Sequence, residues 1–285
     1  MKQFSVQSIV FNLAGVAIVL YVSGYIVTSL FKHEVTPVCS QRYTGGGEQF
    51  SLQTAQGVPL SPIELQARVP TREWGLLKNA RVVQSTDKKS SYLQVSLGKS
   101  NGEPHEADAS DESARDGVGF VWNPTNLEGA RSACLSYRVF LPKNFPFDDS
   151  GTLPGLFGLN DLADLDVPQP NSGLVTRAGW QRGGTLGLAL STPVAAGQWL
   201  GGHSGQWPVD RWVSIEQEIV LNTPAKADGV VRLWVDGDLK VDNAAANLGA
   251  KAENTLSGVV ADFGYNQEMA REARLTISPF IVQRQ

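Results

Sequence analysis

The sequence predicts an all-β sandwich of jelly-roll proportions, preceded by one N-terminal transmembrane helix. Two observations give the sandwich. Short runs of alternating apolar and polar residues recur from residue 91 to residue 282, and Gly, Pro, Asn and Asp separate them. No three-turn helical period competes with them after residue 31. The third observation gives the helix. Residues 9–31, IVFNLAGVAIVLYVSGYIVTSLF, hold no charged side chain, and a bilayer core takes about 20 such residues as a helix.

Taken in order, residues 1–8 form a short cytoplasmic tail and 9–31 an uncleaved signal anchor. The apolar run is too long for a signal-peptide core, and Val27-Thr28-Ser29 is a poor cleavage site. The C-terminal domain is therefore expected outside the cytoplasm, in the periplasm where the source has an outer membrane. Residues 32–70, with Gly45–Gly47 and four prolines, read as a spacer with little structure of its own. Residues 71–285 are the single β-domain, since roughly 200–250 residues suffice for one.

Within it, a short strand is expected beside Trp74 and a clear one at 91–97. Residues 98–117 are a polar, acidic loop. Strands follow at 119–122 and 133–141, then a Pro/Asp/Gly stretch at 142–158, and strand sequence again at 176–190, 212–221, 230–235, 259–264 and 275–282. Residues 266–274 suit a short helix. The stretch WVSIEQEIVLNTPAKADGVVRLWVDG, residues 212–237, is the clearest: two alternating strands around a turn built from turn formers, ending at Asp236-Gly237.

Composition narrows the functions. A net charge of −4 over 285 residues, with no basic stripe interleaved with aromatics, argues against a nucleic-acid partner. Cys39 and Cys134 are the two cysteines. In an oxidising compartment they can pair and tie the juxtamembrane segment to the domain; otherwise one is a buried thiol and the other an exposed one. Their spacing suggests no zinc site, and Asp161, Asp164 and Asp166 lack the turn glycine of a calcium loop. No metal and no cofactor is expected.

The candidate site centres on Thr176 to Gly184, TRAGWQRGG. Strand alternation puts Arg177 and Gln181 on one face and Trp180 and Arg182 on the other. Arginine grips a carboxylate through a planar, two-pronged contact, so Arg177 with Gln181 or Gln217 offers a seat for a sugar acid. The competing reading is an arginine bound to a loop carboxylate of its own chain, such as Asp161 or Asp164. Trp199 and Trp207 offer rings for sugar stacking or for the core. His203, in the Gly- and Trp-rich loop GGHSGQW, is a candidate base of near-neutral pKa.

Four segments in order, YRVFLPKNFPFDDSGTLPGLFG, TRAGWQRGG, LNTPAKADGVVRLWVDG and ADFGYN, resemble the alginate and glucuronan lyases. The resemblance is to polysaccharide lyase family fourteen, with family twenty close by, and spans about residues 92–281. It implies a concanavalin-like β-jelly-roll whose concave sheet grips an acidic polysaccharide. It also implies β-elimination: the proton on C5 is removed beside a neutralised carboxylate, and the 4-linked sugar leaves. Two family-like positions depart. Thr152 stands where a lysine precedes Leu-Pro-Gly, and Leu186-Gly187-Leu188-Ala189-Leu190 replaces a Tyr-x-Tyr strand. The resemblance thus points to a carbon–oxygen lyase with a degenerate site, Arg177 and His203 catalytic, and Arg177, Gln181, Arg182, Trp180, Gln217 and Trp207 binding substrate. The alternative is an inactive glycan-binding protein on the same fold, retaining or exporting a surface polysaccharide.

Overall fold

The computed structural model describes residues 18–21, 36–69, 73–98, 117–158, 173–201, 205–266 and 271–285. The chain divides into two units, Met1–Thr36 and Pro37–Gln285. In the first, residues 18–21 are helical and Ile18, Val19, Leu20 and Tyr21 are exposed. Among the described residues no helix is long and apolar enough to cross a membrane; most of the expected anchor, 9–31, lies outside them.

The second unit is a β-sandwich. Its strands are β1 (Glu48–Gln49), β2 (Glu73–Trp74), β3 (Ala80–Gln84), β4 (Ser91–Leu97), β5 (Val118–Trp122), β6 (Ser132–Leu141), β7 (Gly151–Thr152), β8 (Gly155–Gly158) and β9 (Leu174–Gln181). They continue as β10 (Thr185–Thr192), β11 (Ala195–Leu200), β12 (Arg211–Val220), β13 (Gly229–Val235), β14 (Asp238–Ala246), β15 (Leu256–Tyr265), β16 (Ala273–Ile277) and β17 (Ile281–Arg284). One sheet runs β14-β13-β12-β6-β16-β4-β3, with β17 on β6 and β1 on β17. The other runs β11-β10-β9-β7-β15-β5-β2, with β8 bridging β15 and β9. Pairing is antiparallel throughout.

The alternation in the sequence becomes the two faces of each sheet. Val213, Ile215 and Ile219 of β12 point inward with Leu135 and Val139 of β6, and meet Leu174, Ala178 and Trp180 of β9 in one core. Phe50, Phe120 and Phe280 stack within it, with ring centroids 5.3 and 5.8 Å apart along the series Phe120–Phe50–Phe280. The Asp236-Gly237 turn has positive φ at both residues, 53° and 84°, which matches the right-handed twist of the strands it joins. The other turn of the 212–237 stretch is a structural staple. Buried Asn222 accepts from the backbone N–H of Leu248 and Ala250, each at 3.1 Å, and Asp228 accepts from that of Thr223 at 2.6 Å.

Residues 37–69 are part of the domain, where a structureless spacer was expected. Three short helices, α1 (Cys39–Arg42), α2 (Pro62–Gln66) and, just beyond the segment, α3 (Leu76–Asn79), accompany β1. Tyr43, Phe50, Leu52, Leu60, Leu65 and Val69 are buried. These apolar residues are irregularly spaced between glycines and prolines, so no period shows in sequence; tertiary burial, a disulfide and, for α2, the Ser61–Glu64 capping box order them. Cys39 is bonded to Cys134 of β6. Around that bond Ser40 donates twice to Glu216, at 2.9 Å from backbone and hydroxyl. Buried Glu218 takes Arg42 at 2.6 Å, Arg232 at 3.2 Å and the Tyr43 hydroxyl at 3.0 Å. The two sulfurs and Glu216 lie within 4.8 Å of one another, but a disulfide offers no thiolate to a metal.

Two other expectations change. The 176–190 stretch is a hairpin, β9 and β10, turned by Arg182-Gly183-Gly184. The described part of 266–274 is a bend leading into β16, with no helix; residues 267–270 lie outside the described set.

Candidate carbohydrate-binding face

The outward face of the eight-stranded sheet carries Arg177. Its neighbours fix this direction: Ala178 lies in the core, and the Thr176 hydroxyl lies 3.3 Å from Gln217 of the opposite sheet. On β15, Ala261 and Phe263 are likewise in the core, so Asp262 between them faces out. Arg177 and Asp262 flank the interval Leu153–Pro154 between β7 and β8. Thr152 of β7 pairs with Gly179 and Gly264, while β8 pairs Gly155 with Val260 and Phe157 with Val175.

Across that interval the two side chains meet. Arg177 donates from Nε at 2.8 Å and from Nη2 at 2.5 Å, both to Oδ2 of Asp262. Their side chains are 17% and 12% exposed, so the pair sits at the surface without being freely solvated. Asp262 Oδ1 is buried and has no hydrogen-bond partner among the described residues. The arginine is therefore held by a carboxylate of its own chain, as the competing sequence reading had it, and that carboxylate is Asp262 of the ADFGYN segment; Asp161 and Asp164 lie outside the described residues.

Register places a row of residues across the strands. Asp262 is the cross-strand partner of Gly119, Arg177 that of Ala189, and Ala189 that of Trp199. An indole lies over each end of this row. A Cβ on Gly119 would lie 1.8 Å from Cη2 of Trp74, and one on Gly187 2.6 Å from Cζ2 of Trp199. A side chain at either position would collide with the ring. The Nε1 of Trp199 is also buried without a partner among the described residues. Strands 4.8 Å apart put about 19 Å between the strands under the two rings, a length suited to an extended polymer.

The other expected site residues divide. Gln181 ends β9 on the outward face and is exposed; Arg182 is exposed in the following turn. His203 lies outside the described residues. Trp180, Gln217 and Trp207 are buried and are not presented to a ligand. Trp180 packs between Phe145, Phe147 and Tyr265 and donates to the Asp149 carbonyl at 3.0 Å. Trp207 donates to the Gly179 carbonyl at 2.6 Å. Gln217 donates to the Pro154 carbonyl at 2.5 Å, and the Tyr137 hydroxyl joins it there at 3.0 Å. The Leu-Pro-Gly segment is thus anchored from the opposite sheet.

Sequence reasoning missed Asp262 and Trp74. Asp262 interrupts an otherwise apolar strand, VVADF, and an isolated charge in such a run is the signal that marks it. Trp74 had none beyond its short strand. Thr152 faces outward between β9 and β15, while Leu186, Leu188 and Leu190 face the core and Gly187 and Ala189 face out. Among the described outward-facing positions of β9, β10, β15, β5 and β7 none is Tyr, His or Lys. Tyr265 turns to the core side, and its hydroxyl donates to the Pro146 carbonyl at 2.6 Å.

Two antiparallel sheets, one with a broad outward face bearing a charged pair between two indoles, define a jelly-roll sandwich of the polysaccharide-lyase type. The chain belongs to the polysaccharide lyase 14 family, whose model matches residues 85–268. It is similar in fold to the marine alginate lyase of Aplysia kurodai, with a TM-score of 0.64 and 17% identity over 84% of this chain and 98% of that one. The alginate lyase vAL-1 from Chlorella virus gives 0.58 and 17% over 73% and 90%. A double mutant of alginate lyase Aly36B in complex with an alginate tetrasaccharide gives 0.60 and 13% over 85% and 98%. No curated protein matches the chain.

Proposed function

We propose that the chain is a membrane-anchored, extracytoplasmic member of this family that holds an acidic polysaccharide on the outward face of the eight-stranded sheet without cleaving it. The observation that carries the reading is the Arg177–Asp262 pair. β-Elimination needs an unspent positive group at the uronate carboxylate and a proton-handling side chain beside C5. Here the guanidinium is already neutralised, and Thr152, Gly187 and Ala189 stand at the family-like proton-handling places. Family membership supports a polysaccharide as ligand, and the alginate lyases of like fold support an acidic one. The uncharged run at 9–31 supports the anchor, and the Cys39–Cys134 bond supports an oxidising compartment.

A second reading, β-elimination with Arg177 at the carboxylate and His203 as base, is favoured by family membership. The first is tested by electrophoresis of the detergent-solubilised full chain through gels cast with alginate or with xanthan, an acidic polymer that also carries neutral sugars. Retardation in either gel, weakened in Trp199→Ala, is expected. Unretarded migration in both would overturn it.

A further inference from the structure

Asp262 differs from an ordinary surface partner of an arginine. It is 8% exposed, it takes two donors of Arg177 on one oxygen, and its other oxygen is buried without a partner among the described residues. A buried acceptor left unmet is costly and uncommon. It stands in the row of register partners that has Trp74 over one end and Trp199 over the other.

We propose that Asp262 occupies the seat a uronate carboxylate would take on Arg177, so that the sugar lying over this pair is an uncharged residue of the polymer, held through its hydroxyls. This narrows the function proposed above and rests on it, since the face must hold a glycan at all. The chemistry follows from the donor inventory. A carboxylate is acceptor-only, and the guanidinium edge it would grip, Nε with Nη2, is taken. Brought beside Asp262, it also meets a like charge. A hydroxyl both donates and accepts. It receives a hydrogen from an N–H of Arg177 that Asp262 does not use. The apolar C–H faces of the neighbouring sugars then lie on the indoles of Trp74 and Trp199. The polymer class implied is a heteropolysaccharide in which uncharged residues interrupt the uronates, and Asp262 is its specificity-determining residue.

The test is calorimetric titration of the full chain in detergent with two probes of equal length, a neutral β-1,4-glucan oligosaccharide and an oligoglucuronate. Wild type is expected to prefer the neutral probe by about tenfold, and Asp262→Asn to tighten oligoglucuronate binding by about tenfold. Asp262→Ser serves in its place if Asp262→Asn loses the native circular dichroism. A wild type that prefers oligoglucuronate, or a variant that moves the ratio of the two affinities by less than about twofold, overturns the inference and leaves glycan holding intact. Binding of neither probe by wild type or variant overturns both.

Discussion

Cys39 is bonded to Cys134 across 95 residues of sequence, fastening the start of the β-domain to the first residues of β6. A cross-link of that span restricts the unfolded chain strongly, and losing it costs about 2–5 kcal/mol. For a domain of this size each kcal/mol moves Tm by roughly 2–4 °C. Cys39→Ser with Cys134→Ser is therefore expected to melt several degrees lower, and reductant is expected to lower wild type but not the double variant. Identical melting of all samples would mean the bond contributes nothing.

Alkaline stability depends on two buried tyrosines. Burial raises Tyr43 well above its ordinary value of 10.0, and the negative charge and hydrogen bond of Glu218 raise it further. Burial raises Tyr137 likewise, with the Gln217 hydrogen bond acting weakly the other way. Below pH 10 both states keep both protons and stability is unaffected. Above it the unfolded chain ionises while the folded one does not, so unfolding is increasingly favoured until the folded values are reached. Urea titrations between about pH 9 and 12 are expected to show stability falling with pH, less steeply in Tyr43→Phe.

Gln217 is structural. It donates to Pro154 from between the sheets and is fully buried. Gln217→Ala removes that bond and leaves a cavity, at a cost of about 2–4 kcal/mol. Its glycan affinity per folded molecule is expected to equal that of wild type. A loss of affinity without a loss of stability would return Gln217 to the binding site.

The ring of Trp199 can be tested without touching the ion pair. Trp199→Ala exposes Gly187 and removes one stacking surface. Glycan affinity is expected to fall about tenfold, comparable to about 1.4 kcal/mol, with Tm little changed. Unchanged affinity would place the polymer elsewhere.

Much of the fold was legible because alternation survives wherever one strand face is buried. The stretches at 91–97, 133–141, 212–221 and 230–235 coincide with β4, β6, β12 and β13 within a residue or two. β14 escaped notice because DLKVDNAAA is poor strand sequence; the Asp236-Gly237 turn and pairing to β13 impose its form. β11 is written AAGQWL and is held as the partner of β10 in the same way. The order of residues 37–69 was hidden because a disulfide and scattered apolar residues fix it, and neither leaves a period. Arg177 stood out because its residue type carries the chemistry. Its partner lies 85 positions away, and no local pattern in one sequence reports such a pairing. Trp180 and Trp207 mimic binding residues by type, and only packing tells them apart from Trp199.

Holding without cleavage is tested most directly by following ultraviolet absorbance while the full chain stands with alginate or glucuronan. Each β-elimination leaves an unsaturated, absorbing sugar end. The Arg177–Asp262 pair predicts a flat trace for polymer that migrates with the protein. A steady rise that His203→Ala or Arg177→Ala abolishes would contradict it and make the chain a working lyase.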